Sequence, residues 1–178
     1  MVKKNISRIQ FLRGDYRGRE TVIRPPWSRA EETFVQLCTR CGDCLNICPE
    51  KILKPGRGGF PQIDFARGEC NFCQECQKIC TQAAFLATDQ RPWFYHVEFN
   101  ERCLSRNAVV CVTCAEQCEA QAIQFVPRVG NVHQPRINIS TCSGCGACYR
   151  SCPVGAIQFQ KSHAVFSEQP SQRVEAHP

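Results

Sequence analysis

Sixteen cysteines in four quartets constrain this chain more than any other feature. The first quartet is Cys38, Cys41, Cys44 and Cys48, and the second is Cys70, Cys73, Cys76 and Cys80. The third is Cys103, Cys111, Cys114 and Cys118, and the fourth is Cys142, Cys145, Cys148 and Cys152. Three of them read C-x2-C-x2-C-x3-C. The third keeps that ending but has residues 104–110 between its first two cysteines. Iron in a cubane takes four soft thiolate ligands, and three cysteines at x2 spacing can wrap one face of a cube from a single loop. Four such quartets imply four [4Fe–4S] clusters, with all sixteen cysteines as ligands.

The fourth cysteine of each quartet is expected to begin the outgoing helix and so to reach its own cube poorly. In two-cluster ferredoxins it serves the other cluster. Cluster one then takes Cys38, Cys41, Cys44 and Cys80, and cluster two takes Cys70, Cys73, Cys76 and Cys48. Cluster three takes Cys103, Cys111, Cys114 and Cys152, and cluster four takes Cys142, Cys145, Cys148 and Cys118. A nested alternative pairs quartet one with four and two with three. The gaps between quartets are 21, 22 and 23 residues, so spacing alone leaves both open. Sequential pairing is favoured because each gap suits one local hairpin.

Disulfides and zinc compete with this reading. Disulfides need an oxidising compartment, and cysteines three apart on one loop are poorly placed to pair with each other. Zinc sites close a tetrahedron from separated C-x2-C pairs, which four contiguous quartets do not resemble. The apolar residues make too small a core for two domains of this size. The clusters are therefore expected to act as cores, and the metal-free chain to be largely unfolded.

A cycle of cluster loop, short helix, strand, turn and strand recurs after each quartet. The fold class expected is α+β: two tandem bacterial ferredoxin-like 2[4Fe-4S] domains with short helices and two-stranded hairpins. The expected boundaries are a basic leader at 1–27, ferredoxin-like domains at 28–90 and 91–166, and a disordered tail at 167–178. Ser28 and Glu31 form an S-x-x-E pattern that predicts a capping box, opening a helix through Phe34 and Leu37 into Cys38. Trp93 and Tyr95 alternate with more polar positions, as in a hairpin strand. His96, His133, His163 and His177 are scattered, with no nucleophile or carboxylate constellation around them, so an independent catalytic site is not expected.

The formal charge of +6 is localised. Residues 1–29 hold eight basic and two acidic residues, and the remainder holds fourteen of each. This suits an acidic partner surface or a solvated tail, and is too unspecific to indicate nucleic acid. Within it, Ser7-Arg8-Ile9-Gln10-Phe11-Leu12-Arg13 looks like a twin-arginine export signal lacking its second arginine. The stretch that follows is polar rather than an apolar signal core, so a cytoplasmic chain is expected. No run approaches the ~18 apolar residues of a membrane span.

With these residues in view, the chain resembles the NapF family of ferredoxin-type accessory proteins of periplasmic nitrate reductase systems. The resemblance rests on Arg24-Pro25-Pro26-Trp27-Ser28, Cys38-Thr39-Arg40-Cys41-Gly42-Asp43-Cys44, Gly58-Gly59-Phe60-Pro61, the stretched motif beginning Cys103-Leu104, and Cys142-Ser143-Gly144-Cys145-Gly146-Ala147-Cys148. It implies a cytoplasmic four-cluster protein that binds the precursor of the molybdenum-containing nitrate reductase catalytic subunit before export. It further implies help in that subunit's maturation, by supplying electrons for its own iron–sulfur centre; a redox donor protein is a second expected partner. The alternatives are a general polyferredoxin, an electron-transfer subunit of a membrane-associated oxidoreductase, and a binding chaperone whose clusters are purely structural. Arg8, Arg13, Arg24 and Trp27 are the expected partner-binding residues.

Overall fold

The structure is a computed structural model that describes residues 22–161, save Gln90 and Phe94. Two halves follow one plan. The first contains α1 (Glu31–Leu37), α2 (Asp43–Ile47), β1 (Leu53–Pro55), β2 (Pro61–Ile63) and α3 (Glu75–Lys78). The second contains β3 (Tyr95–Phe99), α4 (Thr113–Glu116), β4 (Ile123–Arg128), β5 (Asn131–Ile137), α5 (Ala147–Ser151) and β6 (Ile157–Lys161). No helix here exceeds seven residues, which is too short to hold itself in water. Each is kept in place by what it packs against.

Inside each half an antiparallel hairpin joins one cysteine loop to the next. β1 pairs with β2 from Leu53↔Ile63 to Pro55↔Pro61. β4 pairs with β5 from Ile123↔Ile137, with a register shift between Val126 and Arg128. A second pairing closes the ends of each half. In the second half β3 lies antiparallel to β6, from Tyr95↔Lys161 to Phe99↔Ile157. In the first half it shrinks to a single bridge, Ser28↔Phe85.

This corrects the local hairpin expected at Trp93 and Tyr95. Tyr95 enters β3, whose partner is β6, the last strand among the described residues. The distant pairing buries Val97, Phe99 and Ile157 in one core with Ile123 and Cys148, which a hairpin confined to residues 91–99 could not do. The capping box is also absent. Helix α1 begins at Glu31 with Ala30 at its N-cap and no side-chain cap bond. Ser28 is held in the bridge to Phe85, and its buried Oγ has no hydrogen-bond partner among the described residues. The Glu31 carboxylate turns to Arg24 instead.

Residues 22–27 are woven into the fold, so they do not form part of a separate leader ending at residue 27. Ile23 is 6% exposed, and its carbonyl accepts the Ile63 N–H. The Tyr95 hydroxyl donates to the Val22 carbonyl. The Trp27 N–H donates to Pro92 O at 2.6 Å, and Leu86 N–H donates to Trp27 O at 2.7 Å. The core of the first half likewise crosses the expected boundary at residue 90. Ile23, Ile52, Leu53, Ile63 and Phe65 share it with Trp93, and Tyr95 and Phe159 pack against it.

Candidate functional site

The sixteen cysteines line four hollows, four to each. Hollow one is ringed by Cys38, Cys41, Cys44 and Cys80. Hollow two is ringed by Cys70, Cys73, Cys76 and Cys48. Hollow three has Cys103, Cys111, Cys114 and Cys152, and hollow four has Cys142, Cys145, Cys148 and Cys118. In every case three thiols come from one loop and the fourth from the paired motif of the same half. The nested arrangement does not occur.

The hollows fit a thiolate-held iron–sulfur group in chemistry as well as number. Apolar groups fill much of the remaining wall: Pro26, Ile52, Leu53, Ile63 and Phe72 around hollow two, and Phe99, Leu104, Phe125 and Ile157 around hollow three. A largely apolar, soft-ligand wall suits a cluster whose charge is spread over several atoms. Among the described residues no three His, Cys, Asp or Glu side chains are set to hold a single metal ion. The thiols surround a space rather than a point. Asp43 lies on the wall of hollow one, where four cysteines are already present.

Burial explains the state of the thiols. Loss of hydration, reinforced by neighbouring cysteines, pushes Cys44 and Cys114 up to about 11 and Cys76 up to about 12. Cys70 is likewise raised to about 12, chiefly by burial. Cys142 and Cys148 move the same way, again chiefly by burial. These thiols hold their protons at neutral pH without metal, so loading iron must release them.

The loops achieve their curvature with left-handed backbone. Gly42 (φ 88°), Gln74 (φ 68°) and Gly146 (φ 92°) occupy the same place after the second cysteine of quartets one, two and four. Quartet three has Val112 there, at φ −125°. A β-branched residue is strongly disfavoured in the left-handed region, and the left-handed turn appears at Ala108 instead (φ 61°). The intervening residues form a 3-10 turn, Leu104–Asn107. Ser105 pins this insertion to the cysteine loop: it is 1% exposed, and its Oγ donates to Cys111 O at 2.7 Å. Asn107 Nδ2 donates to the carbonyls of Glu101 and Cys103.

Sequence reading missed Ser105 and Asn107, although the valine standing where glycine or glutamine stands elsewhere was a visible signal. It also missed two sulfur contacts. Ala122 N–H donates to Cys118 Sγ at 3.3 Å, and Ala156 N–H donates to Cys152 Sγ at 3.2 Å. Each alanine lies four residues after a crossing cysteine and is fully or almost fully buried. Hydrogen bonds onto ligand sulfur are among the levers that set cluster potentials.

Two of the expected partner contacts are engaged inside the protein. Trp27 is 4% exposed and meets Phe72 edge-on at 6.3 Å. Arg24 grips Glu31 with two bonds of 2.8 Å and donates a third, also 2.8 Å, to Pro61 O. Its guanidinium lies over Phe34 and Phe60 at 5.4 and 5.5 Å. Side chains held this way brace the first half from within, although both were expected as partner-binding residues. Arg8 and Arg13 lie outside the described residues. No helix among the described residues is long and apolar enough to cross a membrane.

Comparison with known proteins agrees with this geometry. A family model described as a 4Fe-4S dicluster domain matches residues 37–84 and again 109–156. The ferredoxin-type protein NapF of Escherichia coli K12 is 40% identical over 163 residues, covering 92% of this chain and 99% of the relative. NapF of Haemophilus influenzae is 42% identical over 167 residues, covering 88% and 95%. A more distant relative, the ferredoxin-type protein NapG of E. coli K12, is 27% identical over 151 residues, covering 73% of this chain and 65% of its own length. This chain is an iron–sulfur protein of ferredoxin type, and it belongs to the NapF family.

Proposed function

We propose that the chain carries four [4Fe–4S] clusters, one in each thiol-ringed hollow, and moves single electrons in the cytoplasm to the precursor of the molybdenum-containing catalytic subunit of periplasmic nitrate reductase, assisting its maturation. The observation that carries the cluster part is the division of sixteen cysteines among four hollows without remainder. Similarity to NapF proteins across nearly the whole chain supports the nitrate reductase context.

Clusters of this kind supply one-electron cycling, over potentials spanning roughly −700 to +450 mV. The chain's own residues do the rest. The crossing cysteines Cys48, Cys80, Cys118 and Cys152 tie the two loops of each half together. Apolar side chains line much of hollows two and three. The N–H groups of Ala122 and Ala156 hold sulfur lone pairs in hollows four and three. The chain has no catalytic site of its own in this reading, only ligands and the shell around them.

The test is an anaerobic pull-down from nitrate-grown cells using the loaded protein. Recovery of the nitrate reductase catalytic precursor is expected. Recovery of an unrelated membrane oxidoreductase instead would assign the chain to a different electron path.

A further inference from the structure

The hollows are arranged in an order that the sequence does not follow. Within the first half, α2, which carries Cys44 of hollow one, packs against α3, which carries Cys76 of hollow two. Within the second half, α4, which carries Cys114 of hollow three, packs in the same way against α5, which carries Cys148 of hollow four. Between the halves, the Cys70 N–H donates to the Cys145 carbonyl at 2.8 Å. This joins the loop of hollow two directly to the loop of hollow four. Phe65 stacks on Phe159 at 4.4 Å and tilts against Tyr149 at 6.5 Å, and Trp93 Nε1 donates to Ser143 O at 2.8 Å.

Two glycines permit the approach. A Cβ on Gly146 would lie 2.1 Å from Phe65, and one on Gly144 would lie 2.3 Å from the Trp93 indole nitrogen. Both glycines also have positive φ, so any side chain there meets strain as well as crowding. The fourth quartet is thereby fitted against the second.

We infer that the four cluster sites form one line in the order one, two, four, three, joined across the halves at Cys70 and Cys145. Hollows two and four are the inner members, and hollows one and three are the outer ends at which partners exchange electrons. Transfer between the halves is a one-electron exchange, in which one inner cluster is oxidised as the other is reduced and no bond is made or broken. The order rests on the proposal that each hollow holds a cluster.

The experiment is electron paramagnetic resonance of the full-length protein, loaded and reduced anaerobically with dithionite, in four single variants. Cys41→Ala and Cys111→Ala each remove an outer cluster. Cys73→Ala and Cys145→Ala each remove an inner one. Each variant is expected to drop from about sixteen to about twelve irons per chain. Losing an outer cluster is expected to leave the other three magnetically coupled, with no isolated signal. Losing cluster two is expected to isolate cluster one, and losing cluster four to isolate cluster three. An isolated, uncoupled signal in Cys41→Ala or Cys111→Ala overturns the order. These outer-hollow variants decide the question even where an inner-hollow variant does not fold. Wild-type protein without about sixteen irons removes the four-cluster proposal instead, and the order with it.

Discussion

The rings of Phe65 and Phe159 lie stacked, with centroids 4.4 Å apart and planes 17° from parallel, one from the first half of the chain and one from β6. Phe65 is 5% exposed and also meets Trp93 edge-on at 6.0 Å. Phe65→Ala is therefore expected to cost about 3–5 kcal/mol, read as an earlier midpoint in anaerobic urea unfolding of the loaded protein. An unchanged midpoint would show that the halves do not support each other there.

Arg24 holds the start of the chain's described fold to α1 and to the first hairpin. Lysine at that position keeps the charge but cannot reproduce a planar fork lying over Phe34 and Phe60. Arg24→Lys should destabilise the loaded protein by about 1.5–3 kcal/mol, the usual weight of hydrogen bonds to charged groups. Iron content should stay unchanged. Loss of hollow one's cluster alone would mean that Arg24 acts on the ligand loop rather than on the frame.

The basic leader can now be tested at a sounder cut. Removing residues 1–27 would take away Ile23, Arg24 and Trp27 and damage the core. Removing residues 1–21 leaves the described fold whole and deletes Arg8 and Arg13. That truncation should leave iron content unchanged and weaken capture of the nitrate reductase precursor. Undiminished capture would place the partner contact elsewhere on the protein.

Metal removal tests how far the clusters serve as cores. The hollows sit beside cores of modest size, and the helices are a few residues long. Chelation of iron under reducing conditions should abolish the near-ultraviolet circular dichroism of the aromatic residues, with most far-ultraviolet structure lost. Native-like aromatic signals in the metal-free chain would contradict this.

What was legible in the sequence was local. The cysteine quartets could be read because three ligands of each hollow sit within one loop, and their spacing is set by the group they surround. Sequential pairing could be favoured from loop length, since β1–β2 and β4–β5 each join neighbouring motifs. The β3–β6 pairing was not legible, because nothing in residues 95–99 points to residues 157–161. The Ser28–Glu31 pattern misled because Arg24, a bidentate cation seven residues before Glu31, competed for the same carboxylate. Trp27 and Arg24 were expected to bind a partner because they stand in a basic, proline-rich stretch, whereas Trp27 is buried and Arg24 is engaged with Glu31 and Pro61. Gly144 and Gly146 stood out in the sequence only as part of the fourth cysteine motif. Their second use, letting Trp93 and Phe65 come close, depends on which half packs on which.

The most direct measurement is the iron and acid-labile sulfide content of anaerobically purified full-length protein, taken with its reduced electron paramagnetic resonance spectrum. About sixteen irons and about sixteen sulfides per chain, with interacting cubane signals on reduction, are predicted. About eight irons, or zinc in place of iron, would contradict the account of four thiol-ringed cluster sites.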